Sequence, residues 1–373
     1  MNKLRYIIIL LLFDLFMSNL FLKNTKYWEV PDWKDKHWRV SSDIYHHKIK
    51  PNVKEIESWG GEFTKTIITN SIGFIDKNNR NIKKINSQKK RILLIGDSFI
   101  EGSGLDYEYT FAGLLNDHLG ENFEILNSAV GSYSPSIYFK KTEYYINEGY
   151  KFDQAIIFLD ISDIFDELFI EFDSMGNIKT YKETKKQSAL KKYFYKTGNF
   201  LRDNMVTFRF LNITSDKAEL IKNYIKLKKK VAKNLGKGFF ETSRDDVMFY
   251  RMTHIDRGYW TFNEKNFLNI KDGLKQSEKY LDKLFTLLKN NNISSTLVVY
   301  PWPTQILYGD NYHEDYWKNF SVRKNVNYLS VYDSFSSSEK KKFIFDNFLY
   351  GDVHWSKKGT KKIFDNIIKN IRF

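Results

Sequence analysis

The chain has 373 residues, no cysteine, and 59 Lys and Arg against 45 Asp and Glu, a net charge of +14. The missing cysteines exclude disulfides and thiolate metal sites. A hydrophobic share of 42% excludes a wholly disordered chain and supplies the core of one large domain or two.

The elements begin with an apolar run, Leu4–Leu22, interrupted by Asp14, Ser18 and Asn19, with Lys3 and Arg5 at its start. Its length is about the ~20 residues of a membrane-spanning helix. No small-x-small cleavage site follows, so residues 1–23 are expected to form a retained transmembrane signal anchor; an uncleaved signal peptide and a buried helix are the alternatives. Lys3 and Arg5 favour an N-terminus inside and a main body on the extracytoplasmic side, against Lys23 and Lys26. Residues 24–89 are rich in aromatics, among them Trp28, Trp33, Trp38 and Tyr45-His46-His47, and then carry Thr69-Asn70-Ser71-Ile72-Gly73-Phe74. This stretch is expected to pack on the main domain rather than fold alone. His46 and His47 lack a third ligand for a metal, and no metal is expected.

From Arg91 onward strands and helices alternate. Ile92–Ile95, Phe123–Leu126, Ala155–Leu159, Ser294–Tyr300 and Tyr328–Val331 read as buried strands, and Thr110–Leu119, Ser136–Glu148, Asp272–Leu288 and Gly359–Ile371 as helices. Such alternation implies right-handed crossovers and a five-stranded parallel sheet covered on both faces, a three-layer α/β/α domain over residues 90–373. The rhythm breaks at about 171–265, where two amphipathic helices, Ala189–Phe210 and Lys217–Leu235, are expected. Residues 174–238 hold 17 Lys and Arg against four Asp and Glu, so most of the net charge lies here. That segment suits contact with anionic lipid or anionic polymer, or is a solvated insertion without a partner. No nucleic-acid-binding module accompanies it, and none is expected to bind.

The most informative segment is Arg91-Ile-Leu-Leu-Ile-Gly96-Asp97-Ser98-Phe99, followed by Gly102 and Gly104. It places Ser98 where a buried parallel strand ends, the edge at which open α/β sheets bind ligands. It is not the G-x-S-x-G elbow, because Ile100 stands where the second glycine would be. Gly96-Asp97-Ser98-Phe99 with Gly102 resembles block I of the SGNH (GDSL) hydrolases. The order of the remaining motifs is also similar to that family. Gly131 follows the second strand as in block II, Asp160-Ile161-Ser162-Asp163 aligns with the Gly-x-Asn-Asp of block III, and Gly351-Asp352-Val353-His354-Trp355 resembles the last block.

The resemblance implies a flavodoxin-like sheet and a serine nucleophile for ester or acyl-transfer chemistry. Ser98 would be the nucleophile, His354 its base and Asp352 the group that orients the imidazole. The family's usual spacing is Asp-x-x-His; the Asp-x-His-Trp found here looks like its alginate-acetylation branch. The Tyr-His-His and Asn-Ser-x-Gly-Phe elements are similar to those of envelope-polysaccharide-modifying members. Backbone N–H groups of Ser98 and Gly131 would face the oxyanion. Ser162 stands where the family has asparagine and would be the third donor, with a shorter side chain. Trp302, Gln305 and Trp355, near strand ends, are expected to contact a sugar. No nucleotide or metal motif is present, and no cofactor is expected.

The function expected is hydrolysis of acyl, chiefly acetyl, esters on envelope or extracellular carbohydrate. An O-acyltransferase is the alternative, and a weakly catalytic carbohydrate-binding or assembly module a further one.

Overall fold

The computed structural model describes residues 2–22, 38–59, 63–86, 88–174, 176–179, 197–198, 200–201, 204–262 and 270–373. Trp28, Trp33 and most of the expected helix Ala189–Phe210 lie outside them. The chain divides into two compact units, one of residues 1–35 with 185–247 and one of 36–184 with 248–373.

In the smaller unit α1 covers Asn2–Met17 and continues as a π-helical turn, Ser18–Leu22. Among the described residues no helix is long and apolar enough to cross a membrane. The transmembrane anchor expected over 1–23 is therefore not matched by α1, which ends after 16 residues. The polar residues that interrupt the apolar run act at this end. Asp14 Oδ2 accepts the Thr207 N–H at 3.1 Å and Ser18 Oγ accepts the Val206 N–H at 2.9 Å. Their targets are the unsatisfied donors at the start of a 30-residue helix, Val206–Leu235. This one helix replaces the expected Lys217–Leu235 and runs on upstream of it. Asn212 to Ser215 did not break it, since polar residues inside a helix lower propensity only slightly.

The larger unit opens with two antiparallel hairpins, β1 (Arg39–Ser42) with β2 (His46–Ile49), and β3 (Lys54–Trp59) with β4 (Phe63–Ile68). The Asn70–Phe74 element then turns the chain. Asn70 Oδ1 accepts the N–H groups of Ile72 and Phe74, and Gly73 sits at φ +78° with Ile49 O only 2.4 Å from where a Cβ would be. Ile75 beyond it bridges Asn127 at the edge of the main sheet.

That sheet holds β5 (Lys90–Ile95), β6 (Phe123–Asn127), β7 (Gln154–Leu159), β8 (Ser294–Val299) and β9 (Asn327–Ser330), all parallel in the order β6-β5-β7-β8-β9. This is the flavodoxin-like order, with its switch point between the neighbours of β5. The apolar run of β5 is buried along its whole length, each side chain contributing roughly 1.5–3 kcal/mol. All of β7 is buried too, so helices must cover both faces. They come from Phe111–Leu119 packed with Lys357–Asn370, and from Pro135–Asn147 packed with Ile270–Asn290. The five strands match the expected ones to within a residue or two. Helices Arg244–Thr253, Tyr312–Lys324 and Lys340–Asn347 had no expectation; the last two are only weakly amphipathic, so periodicity gives no signal.

Candidate active site

β5 delivers Gly96-Asp97-Ser98 to the carboxyl edge of the sheet. Asp97 caps the short helix Ser98–Glu101 by accepting the Phe99 N–H at 3.0 Å on Oδ1. Ser98 is thereby the first residue of that helix, where a backbone N–H has no intrahelical acceptor. The helix stops where Gly102 turns left-handed at φ +83°, a place closed to a side chain because a Cβ there would lie 2.2 Å from Thr110 Cγ2.

The second component arrives from the far end of the chain. After Lys340–Asn347 the backbone folds back on itself through a Phe348–Trp355 bridge, and the Leu349 N–H donates to His354 O at 2.8 Å. This loop presents Asp352 and His354. His354 Nε2 lies 2.8 Å from Ser98 Oγ and its Nδ1 2.5 Å from Asp352 Oδ1. Asp352 Oδ1 also accepts the His354 backbone N–H at 3.0 Å. One carboxylate oxygen therefore reaches both groups of a residue two positions on, and the short Asp-x-His spacing satisfies the geometry without a second intervening residue. Phe99 lies against the imidazole, ring centroids 4.7 Å apart, and Trp355 borders Phe99 in turn. Burial works against the imidazolium, but Asp352, then Asp97 and Asp160, outweigh it and hold His354 above its ordinary range.

Asp97 is the neighbour that pattern reading treated only as part of a motif. Its Oδ2 is 2.9 Å from Ser98 Oγ, so two acceptors flank one hydroxyl. Burial, and then Asp160, push Asp97 up to about 7. Asp97, Asp160 and Asp163 each offer a carboxylate oxygen within 4.8 Å of the others, all buried. Protein donors occupy most of these oxygens. Trp302 Nε1 and the Ser162 N–H reach Asp160, while the Tyr138 hydroxyl and the Asp160 N–H reach Asp163. Three carboxylates taken out of water this close together favour shared protons, and burial raises all three. Asp97 is the member of this group that touches Ser98.

The expected oxyanion donors are placed otherwise than the motifs suggest. Gly131 does stand beside the serine: a Cβ on it would be 3.5 Å from Ser98 Cβ. Its N–H, however, donates to Glu101 Oε2 at 2.7 Å. Ser162 is buried; its N–H is bound to Asp160 Oδ1 at 2.6 Å, and its hydroxyl also bonds that carboxylate. A serine side chain is too short to leave its own helix cap and reach outward as an asparagine amide does.

The three expected sugar contacts are turned inward. Trp302 is 1% exposed with its indole N–H on Asp160. Gln305 is also buried and donates to Gly258 O at 2.9 Å and Thr261 Oγ1 at 3.2 Å. Trp355 is buried against Phe99 and Tyr300. Proximity to strand ends placed them near the site, but each ring or amide is consumed by the core.

What pattern reading missed is the contribution of β1 and β2. His46 Nδ1 and His47 Nδ1 are 2.7 Å apart, and His47 Nε2 lies 2.9 Å from Gly131 O. Burial holds His47 down at about 3, so it is neutral; its Nε2–H donates to Gly131 O and its Nδ1 accepts from His46. The pair props up the Gly131 loop. Lys141 reinforces it, donating to Ser128 O at 2.7 Å and to the Tyr133 hydroxyl at 3.0 Å, while that hydroxyl donates to His47 O. Arg39 completes the wall: Nη2 bonds Glu101 Oε1 at 2.5 Å and lies 3.5 Å from Glu57 Oε1, with Lys65 bridging the same two carboxylates. No sequence signal joins Arg39 to Glu101, 62 residues apart.

No family model and no curated protein matches this chain. Among solved structures it is similar to a member of the lipolytic G-D-S-L family from Veillonella parvula, at 11% identity and a TM-score of 0.37 over 76% of this chain and 98% of that one. An acetyl-xylooligosaccharide esterase from Geobacillus, solved as a mutant, gives 12%, 0.39, 78% and 97%. A carbohydrate acetylesterase family member from Sinorhizobium meliloti gives 8%, 0.35, 74% and 95%. Likenesses this distant carry no weight of their own beside the distances above.

Proposed function

We propose that this chain is a serine-dependent ester hydrolase that forms an acyl-serine intermediate. The observation that carries the reading is the continuous line Ser98 Oγ, His354 Nε2, His354 Nδ1, Asp352 Oδ1, with separations of 2.8 Å and 2.5 Å at its ends. A serine hydroxyl is a weak nucleophile until a base within hydrogen-bond reach takes its proton. His354 would accept that proton as Ser98 Oγ attacks the ester carbonyl. Asp352 would hold the tautomer and stabilise the imidazolium. The imidazolium then protonates the departing alcohol, and water repeats the cycle on the acyl-serine. Acetyl as the acyl group rests on the likeness of Asp352-Val353-His354-Trp355 to the alginate-acetylation branch. Carbohydrate as the alcohol portion rests on the Asp-x-His-Trp likeness to polysaccharide-modifying enzymes. Replacing water by a sugar hydroxyl in the second half would make the same intermediate serve an O-acyltransferase.

The test is turnover of p-nitrophenyl acetate by the full-length chain in mild detergent, with Ser98→Ala and His354→Ala beside it and intact-mass detection of the acetylated protein. Turnover lost in both variants supports the reading; turnover that survives in either overturns it. Oligosaccharide acceptors added to the active protein separate transfer from hydrolysis.

We further propose that α1 attaches the chain to a membrane surface, with the main domain on the extracytoplasmic side. Support comes from side chains that a protein in water would bury: Tyr6, Ile7, Leu10 and Phe13 are each more than half exposed. The exposed lysines of Val206–Leu235 suit anionic lipid or polymer alongside it. Flotation of the full chain with vesicles, with and without phosphatidylglycerol, tests this; a chain left at the bottom of the gradient in both overturns it.

A further inference from the structure

The site as it stands is short of donors for an oxyanion. Of the three groups the motifs nominate, the Gly131 N–H is bound to Glu101 and Ser162 is bound to Asp160. Only the Ser98 N–H remains. A carboxylate at this place would be worse than a missing donor, since its charge opposes the one that develops in the transition state. What accompanies Glu101 cancels that charge. Arg39 and Lys65 both contact it, and Glu57 balances the second cation. Among the described residues Arg39 bonds Glu101 and meets Glu57 through Nη2. Its other nitrogen, Nη1, makes no hydrogen bond among the described residues and lies 3.9 Å from the point where a Gly131 Cβ would stand; Ser98 Cβ lies 3.5 Å from the same point. The arginine side chain is 17% exposed, whereas Glu57, Glu101 and Lys65 are closed off, so of the four it is the one that can meet a substrate.

We propose that Arg39, carried by the β1–β2 hairpin, supplies through Nη1 the charged hydrogen-bond donor to the oxyanion that an asparagine would otherwise provide. The proposal rests on the acyl-serine reading above. In the step concerned, the Ser98 Oγ–carbon bond forms, the carbonyl π pair moves onto oxygen, and the Ser98 proton passes to His354 Nε2. Arg39 donates a hydrogen bond to that oxygen and transfers no proton. On collapse the carbon–oxygen double bond re-forms, the alcohol leaves and takes the proton from His354. A guanidinium suits this place because it stays charged and offers two nitrogens in a fixed fork, one to hold Glu101 and one to face the reaction. The four charged groups also account for Glu101 being retained so close to the serine: it positions the arginine.

The experiment compares full-length wild type with Arg39→Met and Arg39→Lys, reading kcat and KM for p-nitrophenyl acetate, the rate of inactivation by a p-nitrophenyl phosphonate that forms a tetrahedral adduct, and recovery with added methylguanidinium. Removing one oxyanion donor costs on the order of 10²–10³ in kcat. Arg39→Met is expected to lose that much with KM changed by less than about threefold, to be inactivated correspondingly more slowly, and to recover in part with methylguanidinium. Arg39→Lys keeps a cation on Glu101 but has no second nitrogen, and is expected to lose at least about tenfold; it carries the test if the methionine variant does not fold. Full kcat in a folded Arg39→Lys overturns the proposal. So does a loss in Arg39→Met that neither slows the phosphonate nor responds to methylguanidinium, which would assign Arg39 to packing. A wild-type chain that turns over no ester overturns the acyl-serine reading itself, whereas an active wild type with unaffected Arg39 variants overturns this inference alone.

Discussion

Asp352 Oδ1 accepts both the ring Nδ1–H and the backbone N–H of His354, at 2.5 Å and 3.0 Å. One oxygen thus fixes the imidazole tautomer and the turn that presents the ring. Asp352→Asn keeps the shape of the side chain but presents an N–H or a neutral carbonyl to Nδ1. In the acyl-serine mechanism kcat for p-nitrophenyl acetate is expected to fall on the order of 10⁴-fold with the fold unchanged by circular dichroism. A loss below tenfold would remove Asp352 from the mechanism.

The pH profile follows from His354. Burial lowers it, but Asp352, followed by Asp97 and Asp160, holds it above 6.5. The base must be neutral to accept the Ser98 proton, so kcat/KM is expected to rise with pH through an apparent value above 6.5. Stability runs the other way. A base whose folded value is raised contributes fully below its unfolded value and loses that contribution as pH rises through the folded one. In Asp352→Asn the acid limb of the residual activity should move to lower pH. A limb that stays in place would mean that another group is being titrated.

Gly351 precedes Asp352 at φ +78°, and a Cβ on it would meet Met248 Sδ at 2.6 Å. Gly351→Ala is expected to lower stability by about 1–3 kcal/mol in a denaturant titration and to reduce kcat, because the strain falls on the turn that carries the carboxylate. Gly120→Ala is the control. Gly120 also has a positive φ, +65°, but nothing lies within 4 Å of its added Cβ, far from the Asp352 loop in sequence. It should cost stability and leave kcat unchanged. Equal kinetic loss in both would show that the effect is global.

Lys141 is buried under Tyr133 and donates to Ser128 O behind the Gly131 loop. Burial lowers it to about 7. Between about pH 7 and its unfolded value near 10.5 the unfolded chain holds more protons than the folded one, so this group makes stability rise with pH across that window. Lys141→Met is expected to flatten the rise in Tm between pH 7 and pH 10. An unchanged slope would place the lysine's ammonium in contact with water.

The strands and the Ser98 turn were readable because their causes are local. A run such as Ile92–Ile95 has nowhere to go but a buried strand, and Asp97 and Ser98 cap the helix that follows from within two residues. The pairing of Asp352 with His354 is local as well, a carboxylate reaching two positions along its own chain. By contrast, the start of the long helix at Val206 was not readable, because the groups that cap it, Asp14 and Ser18, lie far away in sequence. No pattern in either segment announces that partnership.

Residue identity and short-range order therefore determined which chemistry this chain carries: a serine at a strand end, and a histidine held by an aspartate two positions before it. Where each polar group points was decided only by packing. Trp302 and Gln305 spend their donors on Asp160 and Gly258, Ser162 folds back on its own cap, and Gly131 gives its N–H to Glu101. Arg39 reaches the serine's neighbourhood because a hairpin early in the chain closes over the sheet edge. The physical reason is one of range. Strand burial and helix capping are settled within a few residues, whereas a side-chain donor takes the best acceptor in three dimensions, and that acceptor is set by contacts between segments far apart in sequence.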